Sequence, residues 1–289
     1  MLLLLANYPS PENIHEGMSQ RMIAVDRQFE KVQRTYLFVS HRLYWKKEVQ
    51  EIQQGVVQYR CNLLIHFFFI LRLMRSAHTL FFHSVINMLP LLPMLPFIKR
   101  GGRVILDAHG TVPEEMRLSG IRWKARLYGV SERWLFRRVD IVIAVTQAMV
   151  RHFQSKYPSA SPRYVRYAIL PAHLLDSGKG VENVADTETV QVIYSGNLQT
   201  WQHIELMLQV IKQNRSKKVV FTLLTRETQK MQQLLAKFGL ETDDNLRVLT
   251  VSPAELDGYY RQAHYGFILR DDITVNRVAC PTKMVEYLF

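Results

Sequence analysis

The sequence predicts an α/β protein made of two parallel-sheet domains in tandem, and three observations lead there. Short apolar runs rich in β-branched and aromatic residues alternate with longer amphipathic segments, which is the rhythm of βαβ units. That alternation breaks once, from about Leu174 to Glu188, where Asp, Ser, Gly, Asn and Thr accumulate, and then restarts. The chain has 289 residues, 48% of them hydrophobic, enough to fill two medium-sized cores. The expected division is a first domain over 1–173, a linker over 174–188 and a second domain over 189–289.

In the first domain the strand candidates are Leu2 to Ala6, Thr35 to Ser40, Thr79 to His83, Arg103 to Ala108 and Ile141 to Val145, with helical spacing from Met18 to Lys31. In the second, strands are expected at Val190 to Tyr194, Val219 to Leu224, Leu246 to Val251 and Tyr265 to Leu269. Helices are expected at His203 to Asn214, Glu227 to Phe238, from Pro253 and from Pro281. Ser252 and Glu255 form the Ser-x-x-Glu pattern that closes a helix start, and Thr111 with Glu114 suggests another. Pro281 suits a first helical turn. The sequence stops at Phe289 inside an apolar helical pattern, so the second domain is expected to be incomplete.

Composition narrows the functional classes. Cys61 and Cys280 are the only cysteines, so neither a disulfide framework nor a cysteine-based zinc site is indicated, and a reducing cytoplasmic setting fits. Met1 to Leu5 is too short for the apolar core of a signal peptide. Leu63 to Met74 is short for a membrane span and contains Arg72. Thr79 to Ile98 is interrupted by Pro90, Pro93 and Pro96, and reads as a strand followed by a proline-punctuated turn and a short helix. The balance of 37 Lys and Arg against 25 Asp and Glu gives a formal charge of +12, which favours anionic partners.

Much of that charge is concentrated. From Arg117 to Arg138 there are seven basic residues and one acidic residue, Glu132. At about 100° per residue, Arg122, Arg126, Arg133 and Arg137 share one helical arc, while Trp123, Leu127, Val130 and Trp134 occupy the next. Two readings stand: a helix lying in the plane of an anionic membrane surface, or a helix whose apolar stripe packs on the sheet beside a solvated basic flank. Nucleic acid is not expected, because the aromatics sit on the apolar stripe and no DNA- or RNA-binding motif is present.

In open parallel sheets, ligands bind beyond the carboxyl ends of the strands. The segment from His264 to Leu288 has the richest chemistry there: a strand GFILR, then Asp271 and Asp272, a polar turn through Asn276 and Arg277, and a helix start carrying Lys283 and Glu286. Free amides of that first turn, with Lys283, Arg270 and Arg277, would suit a diphosphate, and Glu286 could accept hydrogen bonds from ribose hydroxyls. The same Lys283 and Glu286 could equally be an ordinary solvated pair.

The run PTKMVEYL at 281–288, after a strand ending in LR and a charged turn, resembles the matching segment of family 4 glycosyltransferases. DAHG at 107–110, the stretch from Val139 to Tyr157 and YSGNLQTWQ from Tyr194 resemble that family in the same order. The resemblance implies the GT-B fold, two Rossmann-like domains facing a cleft. It implies that Glu286 holds the nucleotide ribose, that Gly17 and Gly196 lie in loops near the donor phosphates, and that His109 lines the sugar pocket as the catalytic-site histidine, with Gly110 permitting close approach. A buried, backbone-bonded His109 is the alternative reading. The sequence departs from the family at Asn197 and Gln202, where Arg and Lys are usual, and at Val278, where the first of two glutamates is usual. Lys283, Arg270 and Arg277 are the candidates to replace the charge, and Asp271 or Asp272 the carboxylate.

The expected activity is transfer of a sugar, of the hexosyltransferase type, from a nucleoside diphosphate to a lipid-linked or saccharide acceptor in bacterial surface polysaccharide synthesis. Retention of configuration is implied by the resemblance. No cofactor beyond the donor is expected, and metal independence follows from the absence of an Asp-x-Asp pair. The protein would be cytoplasmic and peripheral on the inner face of the plasma membrane, bound there through Arg122, Trp123, Arg126, Arg133, Trp134 and Arg137. The alternative is a truncated or non-catalytic membrane-associated accessory protein.

Overall fold

The computed structural model describes residues 1–14, 17–40, 45–97, 102–169, 188–215 and 218–288. All but the last residue of the expected linker at 174–188 lies outside them. The chain divides into two compact units, Met1–Ile169 with Arg277–Cys280, and Leu170–Asn276 with Pro281–Phe289.

The first unit holds eight strands in the order β3-β4-β2-β1-β5-β6-β7-β8. They are β1 (Leu2–Leu5), β2 (Arg34–Ser40), β3 (Glu48–Gln53), β4 (Val56–Asn62), β5 (Thr79–His83), β6 (Arg103–Ala108), β7 (Ile141–Ala144) and β8 (Arg163–Arg166). Every pairing is parallel except β3 with β4, a hairpin turned at Gly55, whose φ is +76°. The central strands are buried on both faces, so LLLL in β1 and TLFFH in β5 are near-continuous apolar runs, as parallel strands require.

Chain direction decides which face each helix covers. From β1 to β2 the chain steps one way across the sheet through α1 (Gly17–Arg27). From β4 onwards to β8 it steps the other way, through α2 (Phe67–Ser76), a 3₁₀ segment (Val85–Phe97), α3 (Val112–Leu118), α4 (Arg122–Phe136) and α5 (Gln147–Lys156). Right-handed crossovers in opposite directions place their helices on opposite faces. Two cores result: Leu2, Leu4, Tyr36 and Phe81 face α1, while Leu3, Leu5, Phe82 and Leu106 face Ile70, Met74, Leu135 and Phe153 of the larger helical layer.

The second unit has a parallel four-stranded sheet, β11-β10-β9-β12, built from β9 (Val190–Ser195), β10 (Val219–Leu224), β11 (Leu246–Leu249) and β12 (Tyr265–Gly266). Its helices are α6 (Ile204–Gln213), α7 (Thr228–Phe238), α8 (Pro253–Gln262) and α10 (Thr282–Leu288), and the short α9 (Thr274–Val278) begins in this unit and ends in the first. The backbone N–H of Ser252 donates to Glu255 Oε2 at 2.8 Å, closing the start of α8 as the sequence pattern indicated.

Several expectations are corrected. Strands β3, β4 and β8 were not foreseen: β3 and β8 are mostly exposed edge strands, and β4 carries Gln58, Arg60 and Asn62 among its apolar residues, so none presents a long apolar run. The expected strand through Leu269 is regular only over Tyr265–Gly266, and α9 was missed. The proline-rich stretch is a 13-residue 3₁₀ segment rather than a turn and short helix. Val85, Met88, Leu91 and Met94 recur every third residue and are all buried, which matches three residues per turn. At the start of α3 the closing carboxylate is Glu115, not Glu114: the Thr111 N–H donates to Glu115 Oε1 at 2.9 Å. Glu114 instead pairs with Lys156 at 2.7 Å. Among the described residues, no helix is long and apolar enough to cross a membrane.

Candidate active site

In the first unit the carboxyl ends of β5 and β6 bring together His83, Asp107 and His109, with Arg21 reaching in from α1. Asp107 is fully buried, and the Arg21 Nε donates to its two carboxylate oxygens at 3.1 and 3.0 Å. Arg21 is fixed in turn by donating to the Tyr167 carbonyl at 3.0 Å. His83 Nδ1 stands 3.0 Å and His109 Nδ1 3.6 Å from Asp107 Oδ2, and the two imidazoles lie 4.7 Å apart between ring centroids. Burial alone would raise the Asp107 carboxyl, but the His109, His83 and Arg21 donors around it outweigh that and hold it well below the usual range. Burial pushes His83 down, so it is neutral.

His109 is thus not bonded to backbone; its surroundings are a carboxylate and a second imidazole. Nε2 of both histidines, Asn7 Oδ1 after β1 and Thr111 Oγ1 after β6 are buried without a protein partner. These orphaned groups all follow the carboxyl ends of neighbouring strands, where a ligand would satisfy them. Ser84, just after β5, has φ +78° and is held by donating its N–H to the Asp107 carbonyl at 3.1 Å. His83, Asp107 and His109 are ligand types for a metal ion, with candidate ligand atoms within 4.8 Å of one another. Arg21 already neutralises Asp107, so a divalent ion there would leave two uncompensated positive charges in a buried site, which physical chemistry disfavours. Gly110 is constrained by its own loop, since a Cβ there would collide with the Glu115 carboxylate. A Cβ at Gly17 would meet nothing.

The second unit assembles most of the residues predicted for the donor. Lys283 Nζ donates to Gln202 Oε1 at 3.1 Å and lies 4.3 Å from the Tyr194 ring centroid. A Cβ at Gly196, φ +151°, would collide with the end of Lys283, so only glycine lets the lysine lie over this loop. Burial, reinforced by repulsion from Arg270, lowers the Lys283 ammonium to about 8. Arg270 donates to Asn276 Oδ1 at 3.3 Å, and its Nε is buried without a partner. Asp271 does not neutralise this arginine; it pairs with His203, a residue with φ +53° at the start of α6.

Glu286 accepts a hydrogen bond from the Tyr260 hydroxyl at 3.0 Å. The next residue, Tyr287, accepts from the Ser195 N–H at 3.1 Å, and its ring would collide with a Cβ at Gly266. So α10 is pinned to the end of β9 with Glu286 and Lys283 on it. Tyr260, Tyr287 and Glu227, which accepts from the Leu198 N–H at 2.7 Å, were missed from sequence, where tyrosine and glutamate carry no distinctive spacing. Val278 is buried in the core of the first unit, and Arg277 belongs to that unit too.

Helix α4 exposes both of its expected stripes. Its buried side is Ala125, Ser131, Glu132, Leu135 and Phe136. Trp123 (62% exposed), Leu127, Val130 (50%) and Trp134 all face outward, as do Arg122, Arg126, Arg133 and Arg137. The apolar stripe is therefore not packed on the sheet. The inward Glu132 is held by the Tyr157 hydroxyl and by Lys156.

Two parallel-sheet units carrying these residues at their strand ends define the fold of the GT-B glycosyltransferases. Residues 58–168, within the first unit, match the family model for a glycosyl transferase 4-like domain. The lipopolysaccharide outer core galactosyltransferase WaaB is similar over 99% of this chain and 78% of its own, with TM-score 0.64 and 10% identity. A trehalose-6-phosphate synthase, studied for glycosyl transfer with retention, is similar over 99% and 80%, with TM-score 0.62 and 10% identity. Anabaena Alr3699/HepE, solved with UDP-glucose, is similar over 99% and 77%, with TM-score 0.61 and 13% identity. No curated protein matches the chain.

Proposed function

We propose that this protein transfers a sugar from a nucleoside diphosphate to a lipid-linked or saccharide acceptor of a bacterial surface polysaccharide. The observation that carries the reading is Lys283 lying over Gly196 beside Arg270, whose buried Nε has no protein partner. Departure of a sugar from a diphosphate needs cations aimed at the leaving oxygens, where negative charge develops. The family's usual Arg and Lys are absent at Asn197 and Gln202, and Gln202 instead positions Lys283. The charge reaches the glycine loop from α10 and from the segment after β12 in place of the loop itself.

In the first unit, His109 Nε2 is free to contact a hydroxyl of the transferred sugar, and Asp107 with Arg21 holds the region rigid. Glu286, oriented by Tyr260, takes the ribose. The transfer proceeds without a metal, the two cations supplying what a metal would, and with retention as in the trehalose-6-phosphate synthase named above. The outward face of α4 supports a position on the cytoplasmic side of an anionic membrane, with Trp123 and Trp134 at headgroup level and the arginines on lipid phosphates. Transfer of radiolabel from a panel of nucleotide sugars to a membrane lipid extract tests the activity. Labelled lipid or glycan is expected, and no transfer from any donor would leave the non-catalytic accessory reading.

A further inference from the structure

We infer that the membrane-facing surface is not α4 alone but the whole outer side of the helical layer formed by α2, the 3₁₀ segment and α4, an inference that rests on the membrane reading of α4. The topology sets these three elements side by side on one face of the first sheet, because the crossovers from β4 to β7 run in one direction. Each buries one side in the same core. Each turns large apolar residues outward: Leu64 (82% exposed) and Phe68 (83%) at the start of α2, Phe97 at the end of the 3₁₀ segment and Trp123 on α4.

Charge selects the partner. Across Phe67–Ser76, Val85–Phe97 and Arg122–Phe136 the single acidic residue is Glu132, and it is fully buried. Arg72 and Arg75 stand exposed on α2 as Arg126 and Arg133 do on α4. A surface with exposed rings and arginines but no exposed carboxylate suits the headgroup region of an anionic bilayer. A second copy of the chain would bring like charges together, which weighs against self-association. The patch continues past α2: Lys47 lies 4.0 Å from the Phe69 ring centroid and ties the start of β3 to α2, placing the exposed Trp45 two residues away, while the one carboxylate beside them, Glu48, is paired with Arg60 at 3.8 Å. This is the carboxyl end of β4, the end of the sheet where ligands bind. A membrane reaching that far would present a lipid-linked acceptor directly to it.

The test uses the full chain with one tryptophan retained at a time and the others changed to Phe. Quenching is measured on vesicles of anionic phospholipid with brominated acyl chains. Trp45 and Trp123 are both expected to be quenched, and Trp201 of the second unit is not. Quenching of Trp123 without Trp45 would overturn the extended surface while keeping the α4 reading; quenching of neither would remove both. As a second measurement, Leu64→Ser with Phe68→Ser, both exposed positions, is expected to weaken vesicle binding roughly tenfold. Lipid-free sedimentation showing a dimer that these substitutions dissolve, or filter binding showing RNA that competes the vesicles away, would also overturn the inference.

Discussion

Arg21 on α1 and Asp107 at the end of β6 form a buried, forked ion pair, the guanidinium Nε bridging both carboxylate oxygens at 3.1 and 3.0 Å. It ties α1 to the carboxyl end of β6, two residues before His109. Removing one partner leaves the other charge buried and alone, so Arg21→Leu is expected to destabilise the first unit by about 3–5 kcal/mol. Because the Asp107 carboxyl is depressed in the folded state, its contribution is present above the unfolded carboxylate value of about 3.9 and is lost as pH falls below that. Denaturant melts between pH 3 and 7 check this, and an Arg21→Leu protein as stable as wild type at pH 7 would refute it.

The Glu132 site behaves in the opposite sense. Burial raises this carboxyl, so it costs stability as pH rises through the glutamate range and towards neutrality. Glu132→Gln is expected to be neutral or mildly stabilising at pH 7.5. Lys156→Met, which strips the cation from Glu132 and Glu114 together, is expected to destabilise by about 3 kcal/mol. Thermal melts of the two variants should shift in opposite directions or differ by several degrees.

Lys283 gives the second unit a pH signature. With its ammonium lowered to about 8, affinity for a nucleoside diphosphate should be level below pH 8 and decline above it, as the charged form is lost. Lys283→Gln should weaken binding roughly tenfold or more at pH 7 and flatten the profile. A profile unchanged by the substitution would place the diphosphate elsewhere.

Gly196→Ala is expected to displace Lys283, whose flexible end is what the new Cβ meets, and to strain the loop backbone at φ +151°. Donor affinity should fall to near the Lys283→Gln level while the melting temperature changes by only a few degrees. Equal affinity for wild type and Gly196→Ala would show that the lysine does not act from over this loop.

For α4, each arginine on the outer face should contribute about 1 kcal/mol to anionic vesicle binding, roughly fivefold in partitioning. Arg126→Gln with Arg133→Gln is therefore expected to lower it about 25-fold at low salt. Vesicle sedimentation reads this directly, and a loss below threefold would point to an ordinary solvated flank.

The fold was legible wherever a strand is buried on both faces or a helix shows one clean apolar stripe. β5, β6 and β10 fall where their apolar runs put them, whereas edge strands β3 and β8, held by backbone pairing with little burial, leave no such trace. The candidate site was legible in the residues proposed to meet the donor, Gly196, Arg270, Lys283 and Glu286, because family resemblance and strand-end position mark them. The residues that hold these in place, Arg21, His83, Asp107, Tyr260 and Tyr287, come from positions far apart in sequence and meet only through the tertiary fold. Helix α4 shows a related limit: its period revealed two stripes, but only packing showed that both point outward.

The most direct test of the central claim is calorimetric titration of the full-length protein with a panel of nucleoside diphosphates and their sugar conjugates, beside Lys283→Gln and Glu286→Gln. The account predicts binding of at least one member, weakened by both substitutions with the fold intact. A folded wild-type protein that binds none of the panel, or one whose binding is indifferent to both substitutions, would contradict it.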